Sequence, residues 1–179
     1  MVELALKHGD KVVATLRKPS DLDDLRQQYP VSQLLILQLD VTKPDEIKAA
    51  FAKAKATFGR IDVVFNNAGY AVAGELEAIP DQPAQAMFDV NFWGAVHVSQ
   101  EAVRFFREDN SPQGGRLIQN SAGVGLVTLP TLGFYGSAKH GEHMWQFPIR
   151  MLYMEILMFP SAMGGVQLSR GSPKHCTRS

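Results

Sequence analysis

Short apolar runs that alternate with helical segments constrain the fold of this 179-residue chain more than any other feature of its sequence. Runs typical of strands lie at residues 11–17, 33–41, 61–69 and 115–123. Segments typical of helices lie at residues 43–59, 81–109 and from 133 onward. The second run is apolar almost throughout, as expected of a strand buried on both faces of a parallel sheet. Strands that alternate with helices predict a doubly wound α/β fold with right-handed crossovers and helices on both faces of the sheet.

Composition narrows the classes of function. Lys plus Arg and Asp plus Glu each number 18, so the formal charge is zero, and nothing favours binding to nucleic acid or to an anionic membrane. The single Cys176 cannot form an internal disulfide. Residues 1–10 lack the apolar segment of a signal peptide, and the apolar stretch at 151–159 is too short to span a bilayer. We therefore expect a soluble, cytoplasmic protein.

Ligands of a doubly wound sheet bind where the strands end at their carboxyl side. Arg17 follows the first predicted strand, where a dinucleotide fold places an acid to bind NAD or a basic residue to bind the 2′-phosphate of NADP. A solvated surface residue is the alternative for Arg17. Asp40 and Val41 follow the second strand. Asp40 could accept a hydrogen bond from an amino group of a base, or it could cap the helix that begins near Pro44.

The third predicted strand ends in the tetrapeptide Asn66-Asn67-Ala68-Gly69. Asn tolerates unusual backbone angles and Ala-Gly lets a flat ligand approach the main chain, although a tight turn alone would also explain these residues. Asn91 lies in a helical segment that otherwise supplies apolar packing. It is either a hydrogen-bonded buried polar group or a helix distortion that positions water.

Two further polar features follow the fourth strand. Ser121 places a hydroxyl at the mouth of the sheet, fourteen residues before Tyr135. Tyr135 and Lys139 are four residues apart, so a helix would bring the phenol and the ammonium together on one face. Because this spacing often arises by chance, the pair has weight only through its context.

The Asn-Asn-Ala-Gly turn, Asn91, Ser121 and the Tyr135–Lys139 pair, in this order, resemble a short-chain dehydrogenase/reductase of the classical type. The resemblance runs from residue 1 to about residue 139. It implies a Rossmann-like doubly wound parallel sheet. It also implies an NADP-dependent oxidoreductase that interconverts an alcohol and a carbonyl of a small-molecule substrate by hydride transfer.

The resemblance further implies a role for each of these residues. Tyr135 would be the general acid/base, Lys139 would lower the pKa of its phenol and hold the nicotinamide ribose, and Ser121 would bind the substrate oxygen. Asn91 would complete a proton relay through water. The cofactor would be NADP, selected by Arg17 and contacted by Tyr135 and Lys139. Its adenosine part would lie against Asp40, Val41, Asn66, Asn67, Ala68 and Gly69.

Two departures from the family pattern concern the cofactor and the serine. The opening strand and its Gly-rich phosphate turn are absent before Met1, so the sheet is expected to be incomplete and to expose strand edges. Ser121 precedes Tyr135 by one residue more than the family spacing, with Ala122 in the expected place. Either the loop near Val124 carries an extra residue or the hydroxyl is lost, and we favour the loop.

The third departure is the end of the chain. The resemblance stops after His140, and Pro148 is expected to break or kink the last helix. Residues 164–169 could form a remnant strand, and the basic, Ser-rich residues 169–179 are expected to be disordered. We therefore divide the chain into a partial dinucleotide-binding domain, residues 1–145, and a divergent, partly disordered tail, residues 146–179.

These departures leave a second hypothesis open. The chain would be a truncated, catalytically inactive homologue that acts at most as a binding or interaction protein. His140 and His143 share a helix face, but a metal site needs more ligands, so none is predicted. Family members often pair through the helix that bears Tyr135 and Lys139, which favours a homo-oligomer.

Overall fold

The computed structural model describes residues 1–127 and 129–144 in full, and the backbone of residues 145–150, 158–160 and 166–169. Within this part of the chain the strands are β1 (Lys11–Leu16), β2 (Leu34–Gln38), β3 (Val63–Asn66), β4 (Arg116–Ser121), β5 (Met158–Pro160) and β6 (Val166–Ser169). The α-helices are α1 (Val2–Lys7), α2 (Asp23–Gln28), α3 (Pro44–Phe58), α4 (Asp81–Phe88), α5 (Ala95–Glu108) and α6 (Gly133–Arg150). The predicted alternation of strands and helices is confirmed.

The strands form one sheet in the order β2-β1-β6-β3-β4-β5. β1 pairs with β2, β3 with β4, and β4 with β5, all in parallel, as expected of a doubly wound α/β fold. β2 is an edge strand, and the buried side chains of its apolar run lie on both faces: Leu35 and Leu39 join one apolar cluster and Leu34 joins the other. The prediction that this strand is buried on both faces of a parallel sheet is therefore confirmed, although β2 lies at the edge of the sheet.

β6 lies between β1 and β3 and pairs antiparallel with both. Leu168, for example, stands opposite Val12 of β1 and opposite Val63 of β3. The remnant strand expected at residues 164–169 is thus present as Val166–Ser169. The expectation that β1 and β3 expose their facing edges is wrong, because the backbone of β6 supplies hydrogen-bonding groups to both strands.

Two apolar clusters cover the two faces of the sheet. Phe51 of α3 and Phe105 of α5 pack on one face, with their ring centroids 5.6 Å apart. Val64 of β3 joins this cluster, whereas its neighbour Phe65 joins the cluster that contains Leu6 of α1 on the opposite face. Successive side chains of a strand point to opposite faces, so burial on both sides holds β3 in place and directs its carboxyl end to the site described below.

α6 continues to Arg150 and includes Pro148, so the expected break at this proline is not observed. The missing N–H of Pro148 removes one hydrogen bond in the last turn, where only two residues follow, and the loss stays local. The proposed boundary between residues 145 and 146 falls inside this helix. Residues 170–179, which include Cys176 and nearly all of the segment expected to be disordered, lie outside the described residues.

Candidate active site at the carboxyl ends of the strands

Asn91 lies in a π-helical turn, Asp89–Gly94, that separates α4 from α5. The segment predicted as one helix over residues 81–109 is therefore interrupted. Asn91 is fully buried, its Oδ1 accepts the Tyr70 N–H at 3.0 Å, and its Nδ2 donates to the Tyr70 carbonyl oxygen at 2.7 Å. Asn91 is thus a hydrogen-bonded buried polar group and also lies in a helix distortion, whereas the positioning of water by this distortion stays a prediction. Such π turns are frequent at functional sites.

We expect Asn91→Ala to lower the free energy of unfolding by about 1–3 kcal/mol, because it leaves the Tyr70 N–H and carbonyl without these partners. Urea denaturation measures the change. Asp89→Ala, an exposed substitution in the same turn, serves as the control and is expected to have a much smaller effect. Equal losses in the two variants would contradict the assignment of this stability to the Asn91–Tyr70 bonds.

The turn after β3 is anchored by its two asparagines. Asn66 donates through Nδ2 to the Ala95 carbonyl at 3.0 Å. Asn67 accepts a hydrogen bond at Oδ1 from Nδ2 of Asn120, which lies near the end of β4. The ends of the neighbouring strands β3 and β4 are thus joined by side chains as well as by the sheet.

Gly69 lies at the centre of the gathered residues. A Cβ added at this position would stand 3.0 Å from Oδ1 of Asn91 and 3.9 Å from Nζ of Lys139. The loop after β3, the π turn and α6 therefore meet around one small space. Only a residue without a side chain leaves that space open beside Asn91.

Lys139 lies on α6 and is buried, with 5% of its surface exposed. Its ammonium reaches the end of β4. Its Nζ donates to the Asn120 carbonyl oxygen at 2.8 Å and to Oε2 of Glu142 at 2.8 Å. Glu142 is 1% exposed, so the two form a buried ion pair on α6. The sequence interpretation missed Glu142, although its spacing of three residues from Lys139 was a usable signal for an ion pair on a helix.

Tyr135 lies one turn before Lys139 on α6 and is partly buried, as the spacing predicted. Burial raises the pKa of its phenol, and the negative charge of Glu142 raises it further. The expectation that Lys139 lowers this pKa is therefore not met in this arrangement. Because Lys139 is paired with Glu142 at 2.8 Å, a positive and a negative charge lie close together and act on the phenol with opposite signs.

Ser121 is the last residue of β4 and is buried. Its Oγ lies 2.7 Å from Nε2 of His143 on α6, a contact that the sequence interpretation missed. Burial lowers the pKa of His143, and the positive charges of His140 and Lys139 lower it further, so its imidazole is neutral at pH 7. Between Ser121 and α6 the chain forms a short 3-10 turn, Gly123–Gly125, in the loop where the sequence predicted an extra residue.

Asp40 stabilises a turn before α3. Its Oδ1 accepts the Thr42 N–H at 3.0 Å and the Thr42 hydroxyl at 2.8 Å, whereas Lys43 occupies the position that caps α3. Burial by itself raises the pKa of Asp40, but the bonds from Thr42 and the charges of Lys43 and Arg17 outweigh burial and lower this pKa. Arg17 is exposed at the end of β1 and is near enough to act on Asp40.

Val41 joins the end of β2 to the π turn. A Cβ added at Gly94 would stand 2.7 Å from Cγ2 of Val41, so this glycine allows the close approach.

The predicted site residues fall into two groups. The structure brings Gly69, Asn91 and Lys139 together around one point. Arg17 and Asp40 form a second group farther along the same edge of the sheet.

A separate groove of about 580 Å³ lies on another face of α6. It is lined by the loop after β4 and by Gly133, Gly136, Ser137, His140 and Gly141. These helix positions follow a spacing of three or four residues, so they share one face. Tyr135 and Lys139 do not belong to this lining, and the groove is distinct from the site around Gly69.

Comparison with known proteins identifies the family of this chain. A family model described as short chain dehydrogenase matches residues 1–155. The chain therefore belongs to the short-chain dehydrogenase/reductase family, and its α/β sheet is an incomplete Rossmann-like fold.

Similar proteins place this match in context. An uncharacterized oxidoreductase of Schizosaccharomyces pombe, C162.03, is 37% identical over 139 residues, which cover 78% of this chain and 45% of that protein. A short-chain dehydrogenase from Streptomyces avermitilis has a TM-score of 0.80 at 24% identity and covers 89% of this chain and 58% of its own. The closed form of a serine dehydrogenase complexed with NADP+ has a TM-score of 0.76 at 26% identity, with coverage of 84% and 59%. The chain spans about half the length of the curated relatives that it matches.

No helix in the part of the chain that the structure describes combines the length and the apolar character needed to cross a membrane.

Proposed function

We propose that this chain carries the catalytic part of an NADP-dependent oxidoreductase that interconverts an alcohol and a carbonyl of a small molecule. The observation that carries the proposal is the meeting of Gly69, Asn91 and Lys139 at the carboxyl ends of the strands, with Tyr135 one turn from Lys139. Ligands of doubly wound sheets bind at this edge.

The residues present fit a nicotinamide cofactor in two places. Gly69 carries no side chain where an added Cβ would stand 3.9 Å from Nζ of Lys139, so a ribose hydroxyl bound beside it would accept a hydrogen bond from that ammonium. Arg17 offers an exposed guanidinium at the end of β1, where it would pair with a 2′-phosphate. The similarity to an NADP+-bound serine dehydrogenase supports NADP over NAD. When bound, the cofactor supplies or accepts the hydride.

The protein side of the reaction is a proton transfer at the oxygen of Tyr135. The phenol donates its proton to the oxygen of a carbonyl substrate in reduction, and the phenolate takes a proton from an alcohol in oxidation. Ser121 hydrogen-bonds the same substrate oxygen with its hydroxyl. A neutral His143 that donates from Nε2 to Oγ of Ser121 leaves the hydroxyl proton of Ser121 free for the substrate.

Incubation of the purified chain with NADPH and a panel of carbonyl compounds tests this function. Consumption of NADPH that requires the Tyr135 hydroxyl supports it, and absence of such turnover with every compound contradicts it.

The second candidate is a homologue that binds without catalysis. It is favoured by the raised pKa of Tyr135, which results from burial and from Glu142, and by the engagement of Lys139 with that carboxylate. Titration with NADPH separates the candidates, since submicromolar binding together with turnover excludes the inactive homologue.

We expect Arg17→Ala to weaken NADPH binding about 10- to 100-fold and to leave NADH binding nearly unchanged, because only NADPH carries the 2′-phosphate. Fluorescence titration with each cofactor measures the effect. Lys18→Ala is the matched control, since Lys18 is also exposed but pairs with Asp21 at 3.6 Å. Equal weakening by both substitutions, or equal effects on both cofactors, would contradict a specific role of Arg17.

A further inference from the structure

Glu142 is the charged residue nearest to the proposed catalytic pair that the proposed function leaves without a role. It lies on α6, seven residues after Tyr135 and three after Lys139, so helix geometry places all three on one side. Its carboxylate accepts from Nζ of Lys139 at 2.8 Å, and both side chains are at least 94% buried. Separating the two groups would leave each charge buried without its partner, which is strongly unfavourable, so the pair is expected to stay together.

The ammonium of Lys139 has three N–H donors. One goes to the Asn120 carbonyl oxygen and one to Glu142, each at 2.8 Å. These two acceptors come from β4 and α6, so the position of Nζ is set by the packing of that helix on that strand. Among the described residues this leaves one N–H for an acceptor from outside, beside the space at Gly69.

We propose that Glu142 is a positioning residue that holds the Lys139 ammonium at the end of β4 and balances its charge, leaving one N–H for the ribose of the cofactor. This inference rests on the proposed function. It adds a residue that the Tyr-x-x-x-Lys spacing does not contain. Lys139 then holds the ribose mainly by a directed hydrogen bond, and its positive charge acts on Tyr135 only weakly.

A consequence for Tyr135 follows from the same arrangement. Burial is the larger cause of the raised pKa of the Tyr135 phenol, and the charge of ionised Glu142 raises this pKa further. Removing that charge and keeping the acceptor leaves the field of Lys139 uncompensated, which favours the phenolate. The other ionisable residues of this part of α6 are His140 and His143. Three further ionisable residues belong to elements that pack against α6: Asp89 in the π turn, Asp81 on α4 and Arg116 on β4.

Glu142→Gln tests the proposal, because the amide oxygen still accepts from Lys139 but carries no charge. Titration of Tyr135 by ultraviolet absorbance, with Tyr135→Phe as the subtraction blank, is expected to show ionisation at lower pH in the variant. Binding of NADPH is expected to change less than about threefold, because the hydrogen bond is kept. The exposed Glu108→Gln on α5 is the matched control and is expected to leave the titration unchanged.

Titration of the wild-type chain gives an independent test that does not depend on a variant's folding. In protein with ¹³C-labelled Tyr and Glu, the Tyr135 ring signal is expected to shift at the pH at which the Glu142 carboxyl titrates. A Tyr135 signal insensitive to Glu142, or a Glu142→Gln variant that titrates like Glu108→Gln, would overturn the proposal. Both readouts use the chain without cofactor, so an absence of turnover alone would count against the proposed function and not against this coupling.

Discussion

Replacing Tyr135 by Phe is expected to reduce NADPH-dependent turnover of a carbonyl substrate by about 10²- to 10⁴-fold, the usual contribution of a positioned acid or base. Phe keeps the partly buried ring and removes only the hydroxyl that exchanges the proton. NADPH binding should change little, since Arg17 and Lys139 are untouched. Initial rates of NADPH consumption measure the effect, and Tyr29→Phe, at the residue that follows α2, is the matched control.

The pH dependence sharpens this expectation. Burial and Glu142 raise the pKa of Tyr135, so the phenol is protonated at neutral pH and ready to donate in carbonyl reduction. Alcohol oxidation needs the phenolate, whose fraction grows as the pH rises toward that pKa. The oxidation rate should therefore increase from neutral to alkaline pH, whereas the reduction rate stays level until the phenol begins to ionise. Loss of activity in Tyr29→Phe equal to that in Tyr135→Phe, or a level oxidation profile, would contradict the role of Tyr135.

The strand ends were predictable from the sequence because parallel strands present their carboxyl ends at one edge. This placed Asn67 after β3 and Ser121 at the end of β4, as observed. The placement of Tyr135 and Lys139 one turn apart on the same helix face was equally predictable, since it depends only on helix periodicity. These predictions needed local spacing and one general property of the sheet.

The contacts that complete the site depend on how elements pack, and the sequence does not contain that information in a local form. The bonds between Asn91 and Tyr70 span 21 residues, and the contact between Ser121 and His143 spans 22. Glu142 has a helical spacing from Lys139 that is equally compatible with an exposed pair, so only the packing of α6 shows that the pair is buried.

The central position of β6 in the sheet could not be predicted from the sequence, for a related reason. A four-residue strand has little periodicity, and its pairing with β1 and β3 joins segments far apart in the chain. The observed strand Val166–Ser169 agrees with the remnant predicted from its residues, but neither its position nor its antiparallel direction was predictable.

Replacing Lys139 by Met is expected to lower the free energy of unfolding by about 3–5 kcal/mol near neutral pH, because it leaves the buried Glu142 carboxylate without its partner. Met keeps most of the length and apolar character of the lysine stem, so lost packing contributes little. Urea denaturation at several pH values measures the loss. Lys53→Met, on the exposed side of α3, is the matched control and should change stability little.

The effect of Lys139→Met should shrink as the pH falls. Burial already raises the pKa of Glu142, and Lys139 opposes this rise, so removing Lys139 raises that pKa further. A carboxyl with a higher pKa in the folded than in the unfolded state stabilises the fold below its unfolded pKa, and this contribution is lost as the pH rises through the folded pKa. In Lys139→Met/Glu142→Gln no carboxylate remains to be buried, so the double variant should be less destabilised at neutral pH than Lys139→Met alone. A loss that is independent of pH and unchanged in the double variant would mean that Lys139 contributes by packing and not by its charge.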